Sequence, residues 1–424
     1  MMSQLPVTDR SQAGEVSLSG RLADRLLEKA ISRVVTRGAL AVTAASGRVM
    51  TFGDGTGIPI GVRFADSRAQ WAFLTDADLR LGELYMDGRF LMESGTLYDF
   101  VAMILRETQY QSFPLVARMI DDARTRLRIF RHRNLPARSR QNVAHHYDLD
   151  GRLYGLFLDA DRQYSCAYFE HADQSLEDAQ RAKKEHLAAK LCIEADSRIL
   201  DIGSGWGGLA LHLARMAPDG DVVGVTLSKE QLDYASKRLA PDEGMARASV
   251  RFALADYRSL KGRFDRIVSV GMFEHVGLRS YRTFFRKCAD LLEDNGVMVL
   301  HTIGCSGTPG FTTPWLDRYI FPGGYIPTLS EILPEIEAAG LVVNDIEVLR
   351  LHYALTLAHW RQRFMQHWAE VAQLYDERFC RMWEYYLATA EAAFRYEGLV
   401  VFQIQITKRN DVVPSTRDYL VVGA

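Results

Sequence analysis

The sequence predicts a doubly wound α/β fold with a mostly parallel sheet, preceded by a small α+β unit. Three observations carry this. From about residue 145, short apolar runs of strand length alternate with segments whose apolar residues recur at helical spacing. One such strand runs into the turn Asp201-Ile202-Gly203-Ser204-Gly205-Trp206-Gly207-Gly208, which opens a helix. The first hundred or so residues have another texture, with β-prone runs between helical segments.

Residues 1–16 read as a disordered lead-in. Residues 17–36 have a helical period, and 38–64 hold the β-prone runs ALAVTA, GRVMTFG and IPIGVRF. Residues 66–111 read as helices with a turn at Asp87-Gly88. Together these form an N-terminal domain over 17–113, with a lipid-related or dimerisation role as its expectation. Residues 114–141 form a basic linker with seven arginines (124, 126, 128, 131, 133, 138, 140) and no acid from Arg124 to Arg140. That stretch reads either as a solvated helix face and loop or as a patch for anionic lipid headgroups. The main domain spans 142–409. Strands are expected at Ser197–Ile202, Asp221–Thr226, Val250–Ala255, Phe264–Val270, Gly296–His301 and Leu399–Thr407, with helices at Leu209–Met216, Lys229–Leu239 and Tyr281–Leu292. Residues 352–407 carry an aromatic stripe at helical spacing before the closing Leu399–Thr407 run, and 410–424 read as a tail.

Composition narrows the function classes. A net charge of −2 gives no global attraction to nucleic acid, and the arginine stretch has no aromatics arranged to stack bases. The five cysteines form no CxxC pair, which points to reduced thiols. The start MMSQLPVTDRSQ lacks the apolar run of a signal peptide, and no run of about 18 apolar residues is present to span a bilayer. A lipid substrate would have to be reached from the membrane surface.

The glycine-rich turn brings backbone N–H groups close to a ligand, but alone it also fits a dinucleotide. Three details favour S-adenosylmethionine over NAD. The turn is acidic-x-Gly-x-Gly from the strand end, without a full GxGxxG. The next strand ends Gly224-Val225-Thr226-Leu227-Ser228, not in an acid for the NAD ribose. Asp256-Tyr257 follows the third strand, where an adenine would lie.

The turn resembles the first motif of the class I, Rossmann-like methyltransferases. That resemblance places Asp201, Gly203, Ser204 and Gly205 at the methionine and ribose portions of the cofactor, Thr226, Leu227 and Gln231 around the ribose, and Asp256 and Tyr257 at the adenine. Thr226 stands where many such enzymes have an acid, with Gln231 available in its stead. The segments His146-Tyr147-Asp148-Leu149, Gln163-Tyr164-Ser165-Cys166-Ala167-Tyr168, Gly271-Met272-Phe273-Glu274-His275-Val276-Gly277, His301-Thr302-Ile303-Gly304 and Tyr319-Ile320-Phe321-Pro322-Gly323-Gly324 are similar to those of the cyclopropane-fatty-acid synthases and their mycolic-acid relatives. The resemblance runs from about residue 145 to 407. One departure is Ser204, where many relatives have Cys.

This resemblance implies methylene transfer to the cis double bond of an unsaturated phospholipid acyl chain. It adds Tyr164 and Ser165 to the cofactor set and implies a bound bicarbonate held by Cys166, Glu274, His301, the backbone of Ile303, and Tyr353. Phe273, Tyr281, Tyr325 and Tyr353 are available to face a carbocation. Each residue alone has a plainer reading as core or capping residue, and the Cys, Glu and His spacing matches no metal signature, so no metal is expected. The implied setting is cytoplasmic, peripheral at the inner face of an anionic membrane, with a homodimer allowed for. Rival readings are a methyl-branched product and methylation of a soluble small molecule.

If the arginine stretch meets headgroups, replacing Arg124, Arg126, Arg128 and Arg131 by Gln lowers affinity for anionic vesicles, at about 1 kcal/mol per charge or less. Added salt weakens the same binding. Sedimentation with neutral and anionic vesicles checks this, and equal binding to both ends the headgroup reading.

Overall fold

The protein's structure, a computed structural model, describes residues 18–108, 150–239, 248–307 and 310–420, with backbone only at 108 and 310–311. The lead-in over 1–16, the arginine-rich linker and the His146–Leu149 segment lie outside the described residues. The chain divides into two compact units, 1–108 and 109–424.

The first unit holds α1 (Leu18–Val34), β1 (Ala39–Thr43), β2 (Val49–Phe52), β3 (Pro59–Phe64), α2 (Ser67–Thr75), α3 (Ala77–Met86), β4 (Phe90–Ser94) and α4 (Leu97–Thr108). Its sheet has the order β2-β1-β3-β4, with β1 parallel to β3 and the other pairs antiparallel. The expectation of helix throughout 66–111 is corrected here. Phe90–Ser94 is a strand because it pairs with β3 and buries Phe90 against Phe64 and Phe100. A five-residue edge strand has too short a pattern to announce itself locally.

Among the described residues, the second unit holds α5 (Gly151–Phe157) and α6 (Leu176–Leu191), followed by β5 (Arg198–Ile202), α7 (Gly208–Met216), β6 (Asp221–Thr226), α8 (Lys229–Lys237), β7 (Ser249–Leu254) and β8 (Phe264–Val270). Then come α9 (Tyr281–Leu291), β9 (Leu292–Cys305), β10 (Gly310–Phe311), α10 (Pro314–Tyr319), β11 (Tyr325–Ile326), α11 (Leu329–Glu337) and β12 (Val342–Leu349). The unit closes with α12 (His352–Gln366), α13 (Trp368–Leu374), α14 (Glu377–Tyr396) and β13 (Leu399–Thr407). The expected strands over 221–226, 264–270 and 399–407 have these bounds in the structure. β9 extends well beyond the expected 296–301. The turn-like Glu293-Asp294-Asn295-Gly296 continues the strand through a register shift against β8, and β9 also pairs with β13 from Val297 to Cys305.

The seven-stranded sheet has the order β12-β13-β9-β8-β5-β6-β7, and β13 alone runs antiparallel to its neighbours. Both faces are covered, as a parallel sheet requires. Alternate side chains of each strand go to opposite layers. Ile199, Val222, Val268 and Val299 meet Leu187 and Leu191 of α6 and Leu209 and Leu213 of α7. Leu200, Val223, Ile267 and Met298 meet Phe284 and Phe285 of α9 and Ile332 and Ile336 of α11. Strand order reverses at β5, since the chain winds out through β6 and β7 and returns to β8 on β5's other side. A crevice forms at the carboxyl ends of strands around such a reversal. Between Arg409 and Leu420, two residues are tied to this unit, Tyr419 Oη donating to Gln405 Oε1 at 3.1 Å and Arg417 paired with Asp345.

Phe285 is fully buried against Phe273 and Phe284, with ring centroids 5.5 and 5.2 Å apart. Phe285→Ala is expected to destabilise the unit by about 3–5 kcal/mol through the cavity it leaves. Urea denaturation measures this, and a loss under about 1 kcal/mol would mean that the layer collapses into the gap.

Candidate active site

β5 ends at Ile202, and the chain leaves the sheet through glycines with left-handed backbone, φ +86° at Gly203, +52° at Gly205 and +85° at Gly207. L-residues rarely adopt such angles. A Cβ on Gly203 would lie 2.9 Å from Met272 Cβ, whereas one on Gly205 would meet nothing within 4 Å. Gly205 therefore opens into the cavity it lines, while Gly203 is needed for close packing. Gly203 N–H and Ser204 N–H both donate to Val225 O of the neighbouring strand, at 2.9 and 3.0 Å, which ties the turn to β6.

This turn walls a cavity at the strand-order reversal. Tyr164 and Ser165 line it from the loop after α5, and Asp201, Gly203, Ser204 and Gly205 from the end of β5. Thr226, Leu227 and Gln231 line it from the end of β6 and the start of α8, and Asp256 and Tyr257 from the end of β7. The structure thus brings together all eleven residues expected around a cofactor. Local contacts orient them. Ser228 caps α8 by accepting from Gln231 N–H. Thr226 Oγ1 donates to Gln231 Oε1 at 2.7 Å, leaving the Gln231 amide N–H groups to face a ligand. Asp256 lines the wall, but Arg258 holds both its oxygens, at 2.8 and 2.6 Å, so its carboxylate is not a bare acceptor for an adenine amine.

Asp201 is 1% exposed, and among the described residues neither of its carboxylate oxygens has a hydrogen-bond partner, nor does the buried Ser204 hydroxyl. Burial pushes the Asp201 carboxyl up to about 7, against a partial opposing effect of the Lys183 charge. Orphaned acceptors beside an open glycine fit a cationic ligand bearing an ammonium group, such as S-adenosylmethionine.

Sequence reasoning missed several lining residues: Arg162, Gln163, Trp206, Arg258, Met272 and His275. Met272 and His275 lie within the segment that yielded Glu274, but neither residue type announced cofactor contact. Burial pushes the His275 imidazole down to about 4, so it is neutral at neutral pH.

The other candidates, Cys166, Glu274, His301, Ile303 and Tyr353, are not among the cavity's lining residues. Glu274 sits in a short 3₁₀ turn, Phe273–His275, after β8, and its Oε1 accepts from Ile303 N–H at 2.6 Å. This corrects the expectation of a free Ile303 donor, because the turn carries the acid over the end of β9. Glu274 Oε2 is buried without a partner, and burial raises the carboxyl's pKa. His301 lies two residues before Ile303 on β9, with Nδ1 3.1 Å from Gln403 Nε2 of β13, and burial pushes its imidazole pKa well down. Cys166 is buried, its Sγ donating to Ala167 O at 3.3 Å, and burial pushes the thiol pKa up, so it is no thiolate. Ala167 N–H donates to Thr356 Oγ1 on α12, one turn from Tyr353. Phe273, Tyr281 and Tyr325 belong to the apolar core, Phe273 stacked on Tyr281 at 4.2 Å and Tyr325 donating to Glu331, so core packing accounts for them. All five cysteines are free thiols.

A doubly wound sheet with one antiparallel strand beside β9, and a glycine-turn cavity at the order reversal, define the class I methyltransferase fold. The model of the mycolic acid cyclopropane synthetase family matches residues 135–404, and the chain belongs to that family of S-adenosylmethionine-dependent methyltransferases. It is 40% identical over 339 residues to the cyclopropane-fatty-acyl-phospholipid synthase of Escherichia coli K12, covering 79% of this chain and 84% of that one. It is 41% identical over 273 residues to a probable fatty acid methyltransferase of Pseudomonas putida, covering 63% and 68%. The crystal structure of mycolic acid cyclopropane synthase CmaA1 with S-adenosylhomocysteine and CTAB superposes with TM-score 0.59 at 33% identity, covering 63% of this chain and 97% of that one.

The Asp201 carboxyl binds its proton more tightly in the folded chain, at about 7, than at its ordinary 3.8. Its contribution to stability is complete below about pH 4 and is lost as pH rises towards 7. Without ligand, Asp201→Asn should flatten that part of the stability–pH curve. Urea midpoints from pH 4 to 8 test it, and parallel curves for the two proteins would refute the assignment.

Proposed function

We propose that this chain transfers a one-carbon unit from S-adenosylmethionine to the cis double bond of an unsaturated acyl chain in a membrane phospholipid and closes a cyclopropane ring. The observation that carries this is the glycine-turn cavity with its orphaned Asp201, in a chain 40% identical to a cyclopropane-fatty-acyl-phospholipid synthase.

When bound, S-adenosylmethionine supplies an electrophilic methyl group on a sulfonium. Asp201 and the Ser204 hydroxyl hold the cofactor's charged end, Gln231 its ribose, and Tyr257 and Asp256 border its adenine. An alkene is a weak nucleophile, so the protein must align it and exclude water. The aromatic layer beside Tyr164 suits this. Tyr164 stacks on Trp360 at 5.1 Å, and its hydroxyl meets that of Tyr386 at 2.9 Å. Methylation leaves a cation on the acyl chain, and the ring closes when the added carbon loses a proton. That proton needs a base, and none of Cys166, Glu274 or His301 is poised as one. The thiol is neutral, burial raises the pKa of the acid, and the imidazole's basicity is suppressed. These states fit the holding of a small anion. Glu274 shares a proton with the anion, since two bare negative groups so close would repel, and His301 donates from Nε2 when Gln403 donates to Nδ1. Bicarbonate, when bound there, supplies the base that the side chains lack. A fatty acid methyltransferase relative at 41% identity keeps a methyl-branched product as the second reading.

Contact with an anionic membrane is part of the proposal. On α1, Leu18, Leu22 and Leu26, one turn apart, are 82%, 52% and 40% exposed. Arg21, Arg25, Lys29 and Arg33 form an adjacent exposed row, without carboxylate partners among the described residues. The helix's acids are engaged elsewhere, Asp24 with Ser46 and Gln70, and Glu28 with Arg48. An apolar stripe beside a basic one suits a lipid interface.

Incubation with S-adenosylmethionine and unsaturated phospholipid vesicles, followed by mass spectrometry, should show acyl chains gaining one CH2 with loss of the alkene. A gain of CH2 with a branched chain instead selects the second reading, and modification of a water-soluble acceptor alone removes both. Glu274→Gln and His301→Ala should keep cofactor binding and lose about 10²–10³ in turnover. Full activity in both variants removes the anion-holding role.

A further inference from the structure

One fully buried group next to this site has no place in the chemistry above. Lys183, on α6, is 0% exposed. Its ammonium donates to Gln163 Oε1 at 2.6 Å and to Ser165 Oγ at 2.9 Å. Among the described residues it forms no ion pair, although Asp159 and Asp201 are also buried. A buried ammonium without a contacting carboxylate costs several kcal/mol. An apolar residue of the same size would make a cheaper core, so stability does not account for Lys183.

What the lysine touches does account for it. Gln163 and Ser165 line the cofactor cavity and flank Tyr164, and Cys166 follows directly. One turn earlier on α6, Gln180 donates to the carbonyls of the same two residues, Gln163 O at 3.3 Å and Ser165 O at 3.0 Å. Asp159 accepts from Gln163 N–H at 2.7 Å. The loop is therefore gripped at backbone and side chains from one helix face. Gln180 and Asp159 fix its path, and Lys183 fixes which way its polar side chains point. We propose that Lys183 is a positioning residue of the methyl-transfer site, its buried ammonium setting the Gln163 and Ser165 side chains on the cavity wall and adding positive charge behind Asp201.

Burial lowers the lysine to about 8, still on the charged side of neutrality. The charged and titratable groups around it are Asp159 and Asp161 of the preceding loop, Cys166 of the gripped turn, Lys184 of its own helix, Asp201 of β5, His212 of α7 and His301 of β9. Burial leaves the two histidines neutral, so the positive field at Asp201 comes from Lys183. That field favours an ionised Asp201 as acceptor for the cofactor's ammonium.

This inference rests on the cofactor reading above, and the test separates the two. The full chain is titrated calorimetrically with S-adenosylhomocysteine from pH 6 to 9, as wild type, Lys183→Met and Lys183→Gln, with a thermal melt of each. Lys183→Met should melt at or above wild type, because replacing an unpaired buried ion by an apolar isostere is neutral to stabilising. Its affinity should fall at least about ten-fold, the loss expected for one charge-assisted hydrogen bond. The rise of affinity with pH, as Asp201 ionises, should move to higher pH. Lys183→Gln, a donor without charge, should recover part of the affinity but keep the displaced pH profile. Failure of the wild type to bind overturns the cofactor reading. Wild-type binding with unchanged affinity and pH profile in Lys183→Met overturns the positioning role alone, and so does a lower melt with unchanged affinity. If Lys183→Met does not fold, an unmoved pH profile in Lys183→Gln overturns it.

Discussion

The architecture of the second unit depends on how β5 ends. The chain must leave the sheet where strand order reverses, turn within a few residues and re-enter as α7, all beneath two neighbouring strands. Left-handed backbone at Gly203, Gly205 and Gly207 makes the turn tight enough. Gly224 on β6 allows the close approach, since a Cβ there would meet the Phe252 ring at 2.6 Å and Ser204 Cβ at 2.9 Å. Gly207 is confined in the same way, by Ala235 and Phe252 at 2.8 Å. The turn thus packs tightly on the β6–β7 side and opens only at Gly205. The cavity's position follows from that asymmetry, and residues from the ends of β6 and β7 face it because parallel strands present their carboxyl ends together.

Around this opening the protein buries ionisable groups that an apolar core would exclude. Asp201, Lys183, Glu274 and His301 are all nearly inaccessible. Burial pushes each towards its neutral form, the acids up and the bases down. Under the proposed function a cationic cofactor shifts that balance towards an ionised Asp201. Two apolar layers, one on each face of the sheet, offset the cost of these groups.

Much of this was legible in the sequence. β5, β6, β8 and β13 are apolar runs whose lengths and flanking turns are set locally, and the glycines of the turn carry their own conformational requirement. The residues expected around a cofactor, carried over from the methyltransferase resemblance, line one cavity in the structure. They sit at strand ends, at places fixed by the parallel sheet once the strands are found. The family resemblance then supplied Tyr164, Ser165 and the five anion-holding candidates, which no periodicity would have singled out.

Tertiary structure alone decided the partnerships. β4 exists because β3 offers it a ladder, and β9 runs through a turn-like Asp294-Asn295-Gly296 because β8 and β13 pair with its two ends. Asp256 turned out to be held by Arg258, two residues on, and the Ile303 amide by Glu274, 29 residues away. Phe273 and Tyr281 proved to be core, and Lys183 proved to grip the cavity loop. The physical reason is common to all of these. A strand end or a glycine turn is specified by its own residues, whereas a hydrogen bond depends on which of several equivalent donors the fold brings within about 3 Å. The sequence by itself determined where the glycine-turn cavity lies; the packing of α6, β9 and the 3₁₀ turn determined which side chains are engaged around it.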